Sequence, residues 1–213
     1  MKKRRRPLRV LVTAGPTREY IDPVRYLSND SSGTMGFAIA AAAARLGLSV
    51  TLIAGPVGLE TPAGVRRIDV VSAEQMQKQA VRHALKADVV VMAAAVSDFR
   101  PARFHASKMK RSRVGGKGTS IHLKENPDIL SEISRLKKPG QTVVGFALET
   151  CDLERNARKK LAEKGCDWIV ANLASAIGAR SSRAVLFGKN CRRVPLPRLP
   201  KEELAVLILS HVL

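Results

Sequence analysis

The segment Arg25–Gly36 reads RYLSNDSSGTMG and gathers residue types that bind anionic ligands. Its glycines let a ligand approach the backbone closely, and free N–H groups at the start of a following helix attract anions. Arg25 supplies a permanent charge on a two-pronged guanidinium, and the side-chain amide of Asn29 offers both a donor and an acceptor. The set predicts a cradle for a phosphate-bearing ligand. The alternative is an ordinary helix start, where Ser, Asn and Asp are favoured as capping residues.

Other well-known phosphate and nucleophile motifs are degenerate or missing from the sequence. The first apolar run leads into TAGPTREY, which supplies one glycine and then a proline where a dinucleotide fingerprint has GxGxxG. A nicotinamide-dependent oxidoreductase is thereby disfavoured but stays open as an alternative. The sequence contains neither the P-loop pattern GxxxxGKS/T nor the nucleophile elbow GxSxG.

Composition limits the class of protein further. The chain has 213 residues, of which 45% are hydrophobic, and this suits one sizeable globular domain. Its longest apolar run, Phe37–Ala44, is too short to cross a bilayer, and the basic start lacks the long apolar region of a signal peptide. Cys151, Cys166 and Cys191 show no CxxC spacing, so we expect reduced thiols in a cytoplasmic protein rather than a zinc site.

The net charge of +19 predicts attraction to polyanions or to phosphorylated small molecules. Lys2–Arg6 is one dense basic block, which we interpret as part of a tail over residues 1–7, ahead of a single domain over residues 8–213. Aromatic residues make up only 4% of the chain and no RNA-binding signature occurs, so specific nucleic-acid recognition has little support. A nonspecific nucleic-acid binder driven by charge is the alternative outside the enzymes.

The elements that must position these residues alternate between strands and helices. Apolar, β-branched runs predict strands in Leu8–Gly15, Ser49–Pro56, Arg67–Ser72, the start of Ala87–Pro101, Gln141–Thr150 and Cys166–Ser175. Alanine-rich or amphipathic runs with capping residues predict helices in Gly36–Gly47, Ala73–Lys86, Asn126–Lys137, Asp152–Gly165 and the final Lys201–Leu213. A β-hairpin is predicted around Gly188–Asn190. The alternation predicts an α/β, Rossmann-like fold with a mostly parallel sheet and helices on both faces.

Ligands of such sheets bind beyond the carboxyl ends of the strands. Three unusual loops fall there, namely Gly15–Gly36, Ala94–Lys124 and Phe146–Thr150. The middle loop is long, basic and rich in glycine, and loops of that length are usually functional lids or disordered segments. We interpret it as a mobile lid, with plain disorder as the alternative.

The strongest indication of function is a set of segments in a familiar order: TAGPTREYIDPVRYLSNDSSGTMGFAIA, TLIAGPV, AAAVSDFRP, SKMKR, ENPDIL, VVGFALET and KGCDWIVAN. Together they resemble bacterial phosphopantothenate–cysteine ligase, also called phosphopantothenoylcysteine synthetase. The resemblance runs from about Leu8 to Leu173 and is weaker over the C-terminal hairpin and helix. In many bacteria this domain follows a flavin-dependent decarboxylase. Nothing of that domain precedes Leu8, so the chain resembles a stand-alone synthetase.

The resemblance implies a two-step reaction in coenzyme A biosynthesis. The carboxylate of 4'-phosphopantothenate attacks the α-phosphate of CTP, pyrophosphate leaves and an acyl-cytidylate remains. The amine of cysteine then attacks the acyl carbon and expels CMP, with Mg²⁺ assisting the nucleotide step. The family is dimeric, so the resemblance also implies a homodimer with shared active sites. It implies no specific nucleic acid and no membrane as partners.

The resemblance also implies roles for individual residues. Lys108 would be the lysine needed to form the acyl-cytidylate, although from its surroundings alone it is one solvated lysine among many. Asn29 would serve the conversion of that intermediate by holding the acyl carbonyl, and Arg25 would support the same pocket. The phosphate cradle makes Ser32, Gly33 and Thr34 candidates for binding 4'-phosphopantothenate.

The nucleotide site that the resemblance implies consists of backbone groups that read the base, a carboxylate, a helix start for the triphosphate, an aromatic ring and lysines: Met92, Ala93, Ala94, Asp98, Lys108, Pro127, Asp128, Ile129, Leu130, Phe146, Lys160 and Lys164. Ordinary structural roles are the alternatives. Asp98 could be a turn former, Phe146 a core residue at a strand end, and the lysines part of a solvated helix face. The ligands of the metal cannot be read from the sequence.

Overall fold

A computed structural model of the protein describes residues 6–110, 119–173 and 178–213. The strands in these residues are β1 (Arg9–Ala14), β2 (Arg18–Tyr20), β3 (Tyr26–Ser28), β4 (Ser49–Ala54), β5 (Val65–Asp69), β6 (Val89–Met92), β7 (Phe99–Pro101), β8 (Leu123–Glu125), β9 (Thr142–Glu149), β10 (Trp168–Leu173), β11 (Ser181–Gly188) and β12 (Arg193–Pro200). The helices are α1 (Thr34–Arg45), α2 (Ala73–Ala84), α3 (Ile129–Arg135), α4 (Leu153–Lys164) and α5 (Lys201–Val212).

The main sheet has the strand order β12-β11-β10-β9-β6-β1-β4-β5. The six strands from β10 to β5 are parallel, and β11 and β12 continue the sheet as an antiparallel hairpin. Counted among themselves, the parallel strands follow the doubly wound order 3-2-1-4-5-6, whose direction of winding reverses between β1 and β6. The predicted α/β, Rossmann-like fold and its C-terminal hairpin are confirmed. The reversal point is where such sheets bind ligands.

Alternate side chains of the central strand enter two separate cores. Val10 and Val12 of β1 pack on the side of α1 and α5, whereas Leu11 packs on the side of α2, α3 and α4. All three side chains are at most 2% exposed. Each such burial stabilises the fold by about 1.5–3 kcal/mol. Continuous apolar strands of this kind need helices on both faces, and this explains why the sequence alternates between the two elements.

Close packing fixes the start of α1 directly beside the end of β1. A Cβ atom added to Gly36 would lie 2.5 Å from the Cβ of Ala14, so a larger residue would push the helix away from the strand. The rest of α1 is alanine-rich and almost fully buried, which lets α1 sit close to both β1 and α5. The first turn of α1 is therefore held at the reversal point of the sheet.

The structure differs from the sequence expectations in three places. The first long loop contains a small antiparallel ribbon, β2–β3, and the middle loop is bounded by a second pair, β7–β8. The strand expected at Arg67–Ser72 lies at Val65–Asp69 instead. Ser72 is excluded from it because its side chain caps α2 in a capping box with Gln75. Residues 111–118 of the expected lid and 1–5 of the expected tail lie outside the described residues.

The three cysteines are described, and each is a free thiol. Cys166 is fully buried, and that burial raises the pKa of its thiol to about 11. None of the helices that the structure describes is long and apolar enough to span a lipid bilayer.

Candidate functional site

Two adjoining cavities open at the carboxyl ends of the parallel strands. The α1 cavity, of about 480 Å³, is bounded by the segment 29–36, by residues 93–96 after β6 and by side chains from β10, β11 and α5. The α3 cavity, of about 330 Å³, is bounded by residues 125–130 and by α4. The two cavities share one wall, made of Ala94, Val96, Asp98, Phe146 and Lys160. Together they form one cleft with two compartments, large enough for a small ligand in each.

The α1 cavity is built to receive an anion. Gly33, the residue before α1, has φ of 75°, and a Cβ atom there would lie 3.2 Å from the backbone of Gly15. Position 33 therefore requires glycine for the chain to pass the end of β1. No side-chain hydrogen bond caps α1 within the described residues. The first-turn amides and the partial positive charge of the helix therefore face the cavity. The hydroxyls of Ser32 and Thr34 lie 3.1 Å apart beside them.

The backbone after β6 is fixed by Thr13 of β1. The N–H of Ala93 donates to the carbonyl of Thr13 at 3.1 Å, and the N–H of Ala94 donates to the Thr13 hydroxyl at 3.3 Å. The same hydroxyl lies 3.8 Å from the sulfur of Met92. Because these N–H groups are used internally, only the carbonyl oxygens of Ala93 and Ala94 are left to bind a ligand.

Asn29 lies in the α1 cavity, and the backbone of a neighbouring loop orients its side-chain amide. Its side-chain nitrogen donates to the carbonyl oxygens of Ala95 and Val96, at 3.2 and 3.0 Å. Both hydrogens of the amide are thus engaged with the backbone. In this arrangement the amide oxygen is the group left to bind a ligand, as an acceptor, and the role of Asn29 in holding the acyl carbonyl stays a prediction.

The α3 cavity is closed at one end by Asp128, which caps α3. Its carboxylate accepts hydrogen bonds from the N–H and hydroxyl of Ser131 and from Lys164, the last at 2.6 Å. Ile129 and Leu130 are buried in the core, so their backbone rather than their side chains can contact a ligand. Pro127 completes this wall. The start of α3 is therefore already capped by a carboxylate, unlike the start of α1.

Two lysines of α4 place positive charge beside the shared wall. Burial lowers the pKa of Lys160, and the neighbouring Lys164 lowers it further, while Glu149, Asp98 and Asp128 oppose that change. For Asp128, burial favours the neutral acid, but the hydrogen bonds from Lys164 and Ser131 outweigh it and lower the pKa. An anionic ligand would stabilise the charged form of Lys160.

Phe146 and Asp98 both lie in this shared wall. Phe146 is half-buried, packs against the core and lines both compartments, so its structural and binding roles are compatible. Asp98 is exposed, and its carboxylate can accept hydrogen bonds from a ligand in either compartment.

Arg25 and Lys108 are not among the described residues that line the cleft. The guanidinium of Arg25 binds the fully buried carboxylate of Asp22 and the carbonyl oxygen of Met109. Lys108 is exposed on the segment that this contact holds. The expectation that Arg25 supports the pocket of Asn29 stays a prediction; in this structure the guanidinium is engaged by Asp22 and Met109.

Several cleft residues were not predicted from the sequence, and they are Asn172, Gly178, Ser182 and Lys201. Asn172 ends the segment KGCDWIVAN, whereas the other three lie beyond it, where the resemblance is weaker. One signal was available, since Lys201 is the first residue of α5 and a cation there opposes the helix dipole. Asn172 and Ser182 resemble ordinary residues of β10 and β11, and Gly178 lies between those strands.

The side chains that could ligate a metal determine how the cleft could bind Mg²⁺. Within the described residues, no group of three or more His, Cys, Asp or Glu side chains could hold a metal ion. Mg²⁺ commonly binds one or two carboxylates together with phosphate oxygens of a nucleotide. The residues present therefore fit a metal that arrives with a nucleotide better than one held by the protein alone.

The chain matches one family of known proteins over almost its whole length. Residues 6–213 match the family model of the DNA/pantothenate metabolism flavoprotein C-terminal domain. The chain belongs to this family. Because the match extends to Leu213, it includes the hairpin and α5, and with them the cleft residues Ser182 and Lys201.

Relatives of the domain include the coenzyme A biosynthesis bifunctional protein CoaBC of Vibrio cholerae, which is 44% identical over 208 residues, covering 96% of this chain and 52% of that protein. The chain thus spans about half the length of the curated relatives it matches. A crystal structure of the C-terminal domain of CoaBC is 38% identical, with a TM-score of 0.82 and coverage of 96% of this chain and 93% of that one. The Streptococcus pneumoniae DNA/pantothenate metabolism flavoprotein is 26% identical, with a TM-score of 0.83 and coverage of 96% and 97%.

Proposed function

We propose that this domain ligates 4'-phosphopantothenate to L-cysteine at the expense of CTP, through an acyl-cytidylate intermediate. The observation that carries the proposal is the two-compartment cleft with its shared wall. One compartment has an uncapped helix start for a phosphate, and the other has the lysines that suit a nucleotide. Membership of the pantothenate metabolism family and likeness to CoaBC domains support the same assignment.

The first step joins two anions, so its main requirement is positive charge at the meeting point. 4'-Phosphopantothenate would lie in the α1 cavity with its phosphate at the start of α1 and its carboxylate at the shared wall. The triphosphate would extend along the α3 cavity towards Lys160 and Lys164. The carboxylate then attacks the α-phosphate, and the bond to the β-phosphate breaks with release of pyrophosphate. Lys108 would stabilise the charge that develops, and this requires the lid segment to close over the cleft.

The second step forms the amide. The amine of cysteine attacks the acyl carbon, the mixed anhydride bond breaks and CMP leaves with the electron pair. The free amide oxygen of Asn29 is placed to accept a hydrogen bond from that amine and to orient it. Its nitrogen meanwhile holds the loop at Ala95 and Val96 in place.

Base recognition would fall to the carbonyl oxygens of Ala93 and Ala94. Carbonyl oxygens accept hydrogen bonds, so they favour a base with an exocyclic amino group, such as cytosine or adenine. This supports CTP but does not by itself separate it from ATP. Mg²⁺ would be held by the phosphate oxygens of the nucleotide, with Asp98 as the nearest free carboxylate of the shared wall.

A homodimer with shared sites forms part of the same proposal. It is supported by the position of Lys108 outside its own cleft, since a second chain or a closing lid must complete the cationic surroundings of the α-phosphate. Sedimentation or light scattering, with and without substrates, would measure the oligomeric state.

The proposal is tested by pyrophosphate release in the presence of Mg²⁺. We expect release with CTP that requires 4'-phosphopantothenate and does not require cysteine to begin. The same assay with ATP determines the choice of base. Absence of release with either nucleotide would contradict the proposal, and tight binding of NADPH or salt-sensitive binding of DNA would then favour the oxidoreductase or nucleic-acid alternatives.

A further inference from the structure

Lys201 is a buried cation at the far end of the α1 cavity. Its side chain lines that cavity, and the residue is only 8% exposed. Its ammonium nitrogen lies 2.7 Å from the hydroxyl of Thr34, the first residue of α1. The closing helix α5 thus delivers a positive charge to the helix start that was already suited to an anion.

A second polar group in the same cavity has no hydrogen-bond partner in the part of the chain that the structure describes. Ser182 of β11 is 3% exposed and lines the α1 cavity, and its hydroxyl makes no hydrogen bond among the described residues. Ser182 pairs with Leu199 across the hairpin, and the N–H of Lys201 donates to the carbonyl of Arg180, so Ser182 and Lys201 come from neighbouring positions. A buried hydroxyl without a partner costs about 1–3 kcal/mol, which a bound ligand could recover.

The position of Lys201 is unfavourable for stability alone. It lies at the start of α5, where the helix dipole repels a cation, and burial lowers the pKa of its ammonium group, with Glu202 acting in the opposite direction. Thr34 offers a neutral oxygen and cannot balance a charge. A dianionic group in the cavity would remove both penalties at once.

We propose that Lys201 and Ser182, with the start of α1, form a subsite for a phosphate monoester, which in the proposed function is the 4'-phosphate of 4'-phosphopantothenate. The inference rests on that function for the identity of the ligand. In this proposal, residues of the hairpin and of α5 distinguish phosphorylated from unphosphorylated pantothenate. The uncapped amides of α1 and the hydroxyls of Ser32 and Thr34 complete the set of donors.

Two lysines belong to one compartment each. Lys164 lines only the α3 cavity and Lys201 only the α1 cavity, whereas Lys160 lies in the wall that both share. Substitution of Lys201 should therefore weaken binding of the ligand in the α1 cavity and leave binding of the nucleotide unchanged. This separation distinguishes a phosphate-binding lysine from a general contribution to the positive potential of the cleft.

The test is calorimetric titration of the chain with 4'-phosphopantothenate and, separately, with pantothenate. Lys201→Gln should weaken binding of the phosphorylated compound about 10- to 100-fold, because a charge-assisted hydrogen bond is lost. Binding of pantothenate should change less than about twofold. Lys78→Gln, the same substitution on the exposed face of α2, is the matched control and should change neither.

Ser182→Ala keeps the test decisive if Lys201→Gln impairs folding. This variant removes an unpartnered hydroxyl, so its melting temperature should stay the same or rise while binding of 4'-phosphopantothenate falls about 3- to 10-fold. Unchanged affinity in both variants, or an equal loss for both compounds, would overturn the subsite. The proposed function is judged separately, because wild-type pyrophosphate release with CTP stands or falls independently of these variants.

Discussion

The guanidinium of Arg25 donates a hydrogen bond to the carbonyl oxygen of Met109 at 2.6 Å. The N–H of Met109 in turn donates to Asp22, whose carboxylate also binds Arg25, so one ion pair holds Met109 through both its N–H and its carbonyl. Met109 lies between Lys108 and Lys110, at the edge of the segment expected to form a lid. Under the proposed function, Arg25 would therefore act through Lys108 of the expected lid rather than on a ligand in the cleft.

Arg25→Gln should lower kcat about 10- to 100-fold by misplacing the lid lysine, while the KM for the phosphorylated pantothenate substrate changes little. Asp22→Asn should reproduce this effect, because it removes the carboxylate that binds both Arg25 and the N–H of Met109. Arg18→Gln, on the same ribbon but stacked 4.6 Å from the ring of Tyr26, is the matched control. Steady-state kinetics of the three variants measures the effect. A raised KM with normal kcat in Arg25→Gln alone would indicate direct substrate binding instead.

Asn29→Asp should block the second step of the reaction. The new carboxylate oxygen would face the carbonyl oxygens of Ala95 and Val96, where the amide nitrogen now donates, and their repulsion would displace the side chain and the loop. We expect the acyl-cytidylate to accumulate, with release of about one equivalent of pyrophosphate per site and turnover reduced at least about 100-fold. Chromatography of quenched reactions detects the intermediate.

The control for that substitution is Asn190→Asp in the hairpin turn, where φ is 59° and Asp is tolerated as well as Asn. This variant should retain wild-type turnover. Full activity of Asn29→Asp would exclude Asn29 from the second step.

Lys164→Gln should raise the KM for the nucleotide about tenfold, whereas the KM for the phosphorylated pantothenate substrate should stay unchanged. The substitution removes one cation from the α3 cavity and also frees the carboxylate of Asp128, which would then repel the triphosphate. Lys159→Gln, an exposed neighbour on α4 that faces Glu163, is the control. Equal effects on both substrates would argue against separate compartments.

The ion pair of Asp88 with Arg6 predicts a pH-dependent contribution to stability. Hydrogen bonds from Arg6 and from the N–H of Arg9 lower the pKa of Asp88 to about 2, from 3.8. A carboxyl group whose pKa is lower in the folded state stabilises the fold above its unfolded pKa. That contribution is lost as the pH falls from about 4 to about 2.

Asp88→Asn should therefore lower the melting temperature at pH 7 by about 2–4 °C, corresponding to about 1 kcal/mol for a partly exposed pair. The difference from wild type should shrink towards zero as the pH approaches about 2. Calorimetric scans from neutral pH down to that acidic limit measure both values. A constant difference across this range would mean that Asp88 stabilises the fold without its charge.

The sequence predicted the fold well because its main elements repeat one strong pattern. Continuous apolar strands such as Val89–Met92 and an alanine-rich helix beside Gly36 leave little choice but a parallel sheet covered on both faces. The ribbon β2–β3 was missed because three-residue strands show no periodicity. The end of the strand before α2 was placed too late, at Ser72, because a helix-capping serine also resembles the end of a strand in sequence.

The cleft was predicted where residues lie in one continuous segment, and missed where distant segments meet. Ser32, Gly33 and Thr34 lie together at the start of one helix, so their joint orientation follows from local structure. Lys201 reaches Thr34 only through the packing of α5 against α1, which no local pattern encodes. The orientation of the Asn29 amide depends likewise on carbonyl oxygens of a distant loop.

The most direct test of the proposed ligation is to identify the products formed from 4'-phosphopantothenate, CTP and cysteine in the presence of Mg²⁺. Mass spectrometry should find 4'-phosphopantothenoylcysteine, and CMP and pyrophosphate should appear in amounts equal to it. Formation of pyrophosphate without the amide product, or hydrolysis of CTP that does not depend on 4'-phosphopantothenate, would contradict the assignment of the two-compartment cleft to this ligation.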